Sequence, residues 1–402
     1  MLQNVTLLPS RRTLEFGIYR DGDNNLDAIQ ENVVSQAVET SAKDSRIEFT
    51  VEDTSARRND TVQYRIADGD FGDDIDSSKP HDMSEESNLA SFVAKTLDNA
   101  EASGAKQTWI ELVDHGGGDG GGLQTSDGKC MSMPDIAKAI SDGVALHAKE
   151  HPEDAGRNVD GVVANQCLMA TMGFADALSH ANVRFLAASP ETMVAPGVPT
   201  SVAHDIAQHQ DDPAAMARTL VDDVMSTKYR MPFAGGVSPA AAFDVLDLDP
   251  AKLTAAEKAI KRFNDAAAAA AHDPVVRQSL REDVRSTGGM ARIPDAGKLP
   301  WQADRSAITL YDAIAHDARL GADVREDARE ASDAVSDLVL VHRESTAFAP
   351  FGFADYSDAV GPTIHAPTSR GQIDPWAAKG ISETHNAFYD AVDQGRLVRA
   401  IA

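Results

Sequence analysis

The sequence is poor in cysteine: two in 402 residues, Cys130 and Cys167, too few for a disulfide framework. It is also poor in positive charge. Thirty-seven Lys and Arg face 63 Asp and Glu, a net charge of -26. That excludes nucleic-acid binding, because nothing offsets phosphate repulsion, and reads first as a solvated acidic surface. No apolar run approaches the roughly 20 residues of a membrane span, so no membrane partner is expected. Met1 to Ser10 lacks a charged segment followed by an apolar core, is not read as a signal peptide, and leaves a cytoplasmic default.

Three further absences remove ligand classes. Gly116 to Gly122 lacks the Lys-Ser/Thr that completes a phosphate-binding loop. His147, His151, His204 and His209 show no zinc-ligand spacing. Asp21 to Asp27 alternates oxygens as an EF-hand loop does. Leu26, however, stands where the required glycine belongs and Asn32 where the bidentate glutamate belongs. A turn and helix cap account for that segment better.

What is present is a pair of strand ends. The apolar run Trp109-Ile110-Glu111-Leu112-Val113 leads into Asp114-His115-Gly116-Gly117-Gly118. Gly161-Val162-Val163 leads into Ala164-Asn165-Gln166-Cys167-Leu168-Met169. Parallel strands present function at their carboxyl ends, so a histidine and a cysteine there can meet at one sheet edge. Imidazole beside a thiol is the equipment of a cysteine nucleophile. The glycines let backbone amides approach a developing oxyanion. Asp114, by strand alternation, reads as structural.

The amino-terminal half alternates strands and helices, the pattern of a mostly parallel sheet covered on both faces. Expected strands are Leu14 to Tyr19, Ile47 to Val51, Thr61 to Ile66, the histidine and cysteine strands, and Val183 to Ala187. A helix is expected from about Asn25 to Ser41. A second carries Leu89, Phe92, Val93, Leu97 and Ala100 on one face, and a third Met133, Ile136, Ala137, Ile140 and Val144. The cysteine is placed at a strand-to-helix junction, where a helix amino terminus lowers a thiol pKa. The pattern breaks near Tyr229 to Val237, where Pro232, Gly235 and Gly236 cluster. We therefore divide the chain into residues 1–232 and a mostly helical 233–402, with helices over Ala251 to Ala271 and Ala322 to His342. A strand, Ala241 to Leu246, joins or extends the main sheet.

The two strand-end segments together resemble the clostripain family of cysteine peptidases, of the caspase-like clan. Three more stretches resemble the family in its order: Tyr19-Arg20-Asp21-Gly22-Asp23-Asn24-Asn25-Leu26, Cys130-Met131-Ser132-Met133-Pro134, and Ala188-Ser189-Pro190-Glu191-Thr192. The likeness is specific over residues 12 to 200. It implies an α/β fold with a mostly parallel sheet sandwiched by helices, and an endopeptidase acting on proteins or peptides. In that mechanism Cys167 attacks the scissile carbonyl to form a thioester, and His115 protonates the leaving amine. The amides of Gly116 and Cys167 are the oxyanion donors. No cofactor is required. Calcium comes with the resemblance and with the acidic surface, without assigned ligands. Relatives are often exported; oligomeric state is not encoded in any of these patterns.

The sequence departs from the family where specificity is set. Relatives that cut after Arg or Lys carry an aspartate two positions before the nucleophile. Here that position is Asn165, with Gln166 beside it, and the segment after Ser189 reads Met193-Val194-Ala195-Pro196. Asparagine does not neutralise a guanidinium, and burying an unpaired cation is costly. Asn165, Gln166, Ser189, Glu191 and Thr192 are the expected substrate-binding residues. Glu191 or Asp176 could compensate, with Asp176 expected as an exposed helix residue. A neutral or polar first-position preference follows. Lys129, Lys149 and Arg157 flank loops where relatives process themselves. Two other readings are carried: a weakly active or inactive relative that binds peptides or proteins, and a cysteine transpeptidase or amidase.

Overall fold

A computed structural model describes residues 12–72, 75–193, 197–231, 235–237, 241–290, 303–349, 352–368 and 386–401. The first ten residues, Val194 to Pro196 and Pro232 fall outside these. The main sheet is built from β1 (Leu14–Gly22), β2 (Ile47–Ser55), β3 (Asp60–Ala67), β4 (Asp70–Phe71), β5 (Asp76–Ser78), β6 (Gln107–Val113), β7 (Gly161–Asn165) and β8 (Phe185–Ala188). Short hairpin strands β9 (Tyr229–Met231) and β10 (Gly235–Val237) precede β11 (Ala242–Asp247). Then come β12 (Asp304–Ser306), β13 (Val339–Glu344), the hairpin β14 (Thr346–Ala349) and β15 (Gly352–Asp355), and β16 (Thr363–His365).

The spatial order is β13-β11-β8-β7-β6-β1-β2-β3-β4, with β5 also on β3. Pairs β2–β1, β1–β6, β6–β7 and β7–β8 are parallel, and the flanks are antiparallel. The expected α/β architecture is therefore present, and the Ala242–Asp247 strand joins the main sheet.

Amino-terminal helices are α1 (Val33–Lys43), α2 (Glu86–Ser103), α3 (Met133–Glu150), α4 (Met172–His180), α5 (Val202–Gln208) and α6 (Pro213–Ser226). The carboxyl-terminal half supplies α7 (Pro250–Ala270), α8 (Pro274–Ser286), α9 (Ala307–His316), α10 (Ala322–Ser336), α11 (Ala387–Ala391) and α12 (Gln394–Ile401). Strand alternation sorts side chains between two cores. Ile110 and Leu112 enter the core shared with α2, α3, α4 and the carboxyl-terminal helices, whereas Trp109 and Val113 enter the core under α1, α5 and α6. Among the described residues no helix is long and apolar enough to cross a membrane.

Two expectations about elements are corrected. The helix expected from Asn25 begins only at Val33; residues 24–32 are turns, and Leu26 N–H donates to Asn24 Oδ1 at 2.8 Å. The helix expected to reach His342 stops at Ser336, and Val339–Glu344 pairs antiparallel with β11. Valine-rich residues with a sheet edge within reach gain more from ladder pairing than from another helical turn.

Candidate active site

His115 stands two residues past β6 and Cys167 two residues past β7, and these neighbouring parallel strands end at one edge of the sheet. Asp114 N–H donates to Asn165 O at 3.4 Å, continuing the pairing beyond the strands. Gln166 then staples the loops: its Nε2 donates to His115 O at 3.0 Å, and the side chain is buried. A β-carbon added to Gly116 would lie 2.2 Å from Cys167 O and 2.9 Å from Gln166 Cβ, so only glycine permits this approach. Among the described residues neither the Gly116 nor the Cys167 amide donates a hydrogen bond. Both remain available to an acceptor.

His115 is half-buried, and its Nε2 lies 2.9 Å from Asn25 Oδ1. An amide oxygen only accepts, so this contact assigns the proton to Nε2 and leaves Nδ1 basic. Burial pulls the imidazole pKa below its usual value. Asn24 beside it donates to Asp114 Oδ1 at 2.6 Å and to Gln124 O at 2.7 Å. Asp114 is thus a buried tie between the β1 turn and the glycine loop. Burial, and then the nearby Asp21, push its carboxyl pKa well up, while burial raises Asp21 to about 7. Beneath the turn, buried Arg20 donates to Asp27 at 2.8 Å and to Asp53. Asn25 was missed from sequence. The signal for it was β1 itself, a strand parallel to β6 that ends at the same edge.

Cys167 sits in a turn held by the next strand's exit: Leu168 N–H donates to Glu191 O and Ala170 N–H to Ser189 O, both at 3.0 Å. Leu168 adopts a left-handed conformation, φ 66°, unusual for a bulky residue and a mark of a constrained turn. The expected strand-to-helix junction is present between β7 and α4, but the lowering of the thiol pKa by a helix amino terminus is corrected here. The following helix, α4, begins at Met172, capped by Thr171, whose hydroxyl accepts from Phe174 N–H. Helix polarity does not dominate the thiol. Its pKa is raised, first by burial and then by the charges of Glu191 and Asp114, against the lowering effect of the Met193 N–H, 3.3 Å from Sγ. Thiol and imidazole therefore rest neutral at pH 7. We predict that alkylation of Cys167 by iodoacetamide has its midpoint above the free-thiol value of about 8.5 and falls steadily as pH drops through it. A plateau reached already by pH 7 would show a stabilised thiolate instead.

The other expected substrate residues are mostly committed to structure. Asn165 is buried; its Nδ2 donates to Glu111 Oε1 at 2.8 Å and to Val198 O at 3.3 Å, and its Oδ1 accepts from Val198 N–H at 2.8 Å. Ser189 Oγ donates to Glu191 O, and Glu191 Oε2 accepts from Thr192 N–H, with both residues fully buried. Thr192 is half-buried and shares a hydrogen bond with Tyr356 Oη at 3.0 Å. Asp176 is corrected: it is buried, 3 % exposed, against Glu257 of α7, whose pKa is raised to about 7 by burial and then by Asp176 beside it. Lys129 is ion-paired with Asp82 and Glu85, Lys149 lies exposed within α3, and Arg157 bonds Asp154 and Ala105 O.

Glu111 is the second residue missed, hidden as the one charge in an apolar run. It is fully buried, Asn165 is its hydrogen-bond partner, and burial pushes its pKa up to about 7. A carboxyl raised in the folded state destabilises above its unfolded pKa and does so fully once pH passes the folded value. Asn165→Asp adds a second carboxylate against this one. We expect that variant to lose about 3 kcal/mol at pH 8 and much less near pH 4, read as denaturant midpoints at both pH values. An equal loss at both would mean that packing, not charge, decides this pair.

No protein-family model and no curated protein sequence matches the chain. Solved structures do. A secreted C11 cysteine protease of Bacteroides thetaiotaomicron, solved with an irreversible peptide inhibitor, superposes with TM-score 0.66 at 11% identity, covering 95% of this chain and 99% of that one. An inactive zymogen C11 protease of Parabacteroides distasonis gives 0.65 at 15% identity, covering 96% and 99%. The B. thetaiotaomicron protease iotapain gives 0.63 at 15%, covering 95% and 100%. The chain therefore has, across nearly its whole length, the caspase-like α/β fold of the C11, or clostripain-type, cysteine proteases.

Proposed function

We propose that the chain is a cysteine endopeptidase of the clostripain type, with Cys167 as nucleophile and His115 as general acid and base. The observation that carries this reading is the close packing of the two loops, in which Gly116 touches the Cys167 carbonyl while both amides stay free to donate. In the reaction, the Cys167 sulfur bonds to the scissile carbonyl carbon, and its proton is taken up by the basic Nδ1 of His115. The Gly116 and Cys167 amides receive the oxyanion. Collapse breaks the C–N bond, with the His115 proton passing to the leaving amine, and leaves a thioester. Water, deprotonated by His115, then releases the acid and returns the thiol. No step passes through a metal, calcium included.

Asn25 holds the imidazole in the tautomer this sequence of transfers requires. The neutral resting pair fits it, because the thiol needs to ionise only as it attacks. The natural test is intact-mass labelling with peptidyl acyloxymethyl ketones, compared between wild type and Cys167→Ala. One adduct per chain, absent from the variant, supports a nucleophile. No adduct across the panel would favour a peptide-binding protein on a peptidase scaffold.

For specificity, the amide of Asn165 carries no charge, and burial raises the pKa of Glu111 behind it to about 7, so the negative charge offered to a first-position side chain is weaker than that of an aspartate at position 165. We expect reporter peptides with Gln, Asn or Ala at that position to be cleaved at least as fast as those with Arg or Lys. A dominant Arg rate would overturn this. Self-processing at Lys129, Lys149 or Arg157 is correspondingly not expected, and a single band after prolonged incubation checks it.

A further inference from the structure

A second cluster lies at the opposite end of the sheet from His115 and Cys167. The last turns of α2 carry Asp98 and Glu101; the end of α3 carries His147, with His151 as its C-cap. A short 3-10 turn, Pro152–Asp154, adds Glu153 and Asp154 before the chain enters β7 at Gly161. His147 and His151 are four residues apart, so their rings lie on one face and stack, with centroids 5.0 Å apart and planes 15° apart.

Both rings turn one nitrogen toward the same carboxylate oxygen. Asp98 Oδ1 is 2.7 Å from His147 Nδ1 and 3.5 Å from His151 Nε2. The opposite nitrogens each meet a further carboxylate: His151 Nδ1 is 2.5 Å from Glu101 Oε2, and His147 Nε2 is 3.4 Å from Asp154 Oδ2. The last contact lacks hydrogen-bonding geometry, so a fully buried imidazole nitrogen is left without a hydrogen bond. Four carboxylates surround two imidazoles, and Arg157, on Asp154, offsets one charge.

We propose that Asp98, His147 and His151 form a binding site for a divalent transition-metal ion of the zinc class, separate from the catalytic cleft. The donor set is two imidazoles and one carboxylate, with ligand atoms all within 4.8 Å of one another. Tetrahedral bonds of about 2.0–2.1 Å place ligand atoms roughly 3.3 Å apart, so binding draws the ligand atoms together and turns the near-parallel rings toward one ion. Glu101 stands behind the His151 ring as the carboxylate that fixes ring orientation in carboxylate–histidine–metal arrangements, and Asp154 stands at 3.4 Å from His147 Nε2 in the corresponding place, without a hydrogen bond to it. Water completes the fourth position. Nitrogen donors select against calcium and magnesium, which take oxygen. The ion would clamp the ends of α2 and α3 to the turn that feeds the nucleophile strand, a structural role.

The test uses the full chain carrying Cys130→Ser and Cys167→Ala, so that no thiol competes for metal. Titration with Zn2+ should show one site per chain and a rise in melting temperature. Co2+ should give the visible absorption of a four-coordinate ion, and Ca2+ should do neither. His151→Ala and the surface change Asp98→Asn should each weaken Zn2+ binding roughly 10- to 100-fold, the scale of losing a ligand or its support. Folding of the half-exposed His151→Ala variant is checked by its circular dichroism, with Asp98→Asn as the second, shape-preserving variant. No saturable Zn2+ binding, or binding unchanged in both variants, overturns the proposal.

Discussion

Cys167→Ala should abolish peptide hydrolysis, lowering kcat/KM by roughly a thousandfold or more, while the protein stays folded. The magnitude follows from the role proposed for the residue: without a nucleophile no thioester forms, and the remaining contribution is binding and oxyanion stabilisation alone. The stability change should stay within about 1 kcal/mol. The side chain is only half-buried; it packs against the small cluster of Leu168, Ala242, Met290, Tyr356 and Ala359 and makes weak contacts with Met193 N–H and O, and its loss removes a single sulfur atom from that packing. A melting curve that matches wild type beside a dead enzyme is thus the expected pair of results. Retained turnover would place the nucleophile elsewhere. Cys130, half-buried in the loop after the glycine run, is the other thiol to test in that case.

The strand ends that carry the proposed site were legible because each element announced itself locally. An apolar run followed by Asp-His-Gly or Asn-Gln-Cys fixes both the strand and the residue at its exit, and parallel neighbours β6 and β7 then bring the exits together. Partners supplied by distant chain were not legible. Asn25 reaches His115 across 90 residues, and Glu111 was folded into the apolar run that contained it. The helix expected over residues 25–41 failed for a related reason. Asn24 and Asn25 spend their side chains on Asp114 and His115, and the chain stays in turns until those contacts are made. Asp176 was misjudged because helical periodicity places a residue on a face but does not say that α7 will cover that face. His147 and His151 are four residues apart in the sequence, but Asp98 and Glu101, which face them, come from α2 and could not be placed beside them without the fold.

Gly116→Ala should be the most damaging change that leaves both proposed catalytic side chains, His115 and Cys167, in place. An added methyl would fall 2.2 Å from Cys167 O and 2.9 Å from Gln166 Cβ, well inside contact distance, and the first of these neighbours is backbone. The two loops must then part, because neither a strand exit nor a peptide carbonyl can fold away as a flexible side chain could. Parting them draws the Gly116 amide away from the point where the oxyanion forms and lengthens the Gln166 contact to His115 O. Loss of one oxyanion donor costs about a hundred- to a thousandfold in kcat. The expected signature is therefore a kcat lowered by that factor with KM much less affected, since an oxyanion donor acts on the transition state more than on the bound substrate. Labelling at Cys167 separates this from simple unfolding. A folded Gly116→Ala protein should still be alkylated by iodoacetamide, which needs no oxyanion hole. It should react far more slowly with a peptidyl acyloxymethyl ketone, which must be positioned at its carbonyl. Equal slowing toward both reagents would mean that the thiol has been buried or moved. A normal rate toward both would mean that the glycine loop does not act on the substrate carbonyl, and the oxyanion role would then pass from Gly116 to another donor near Cys167.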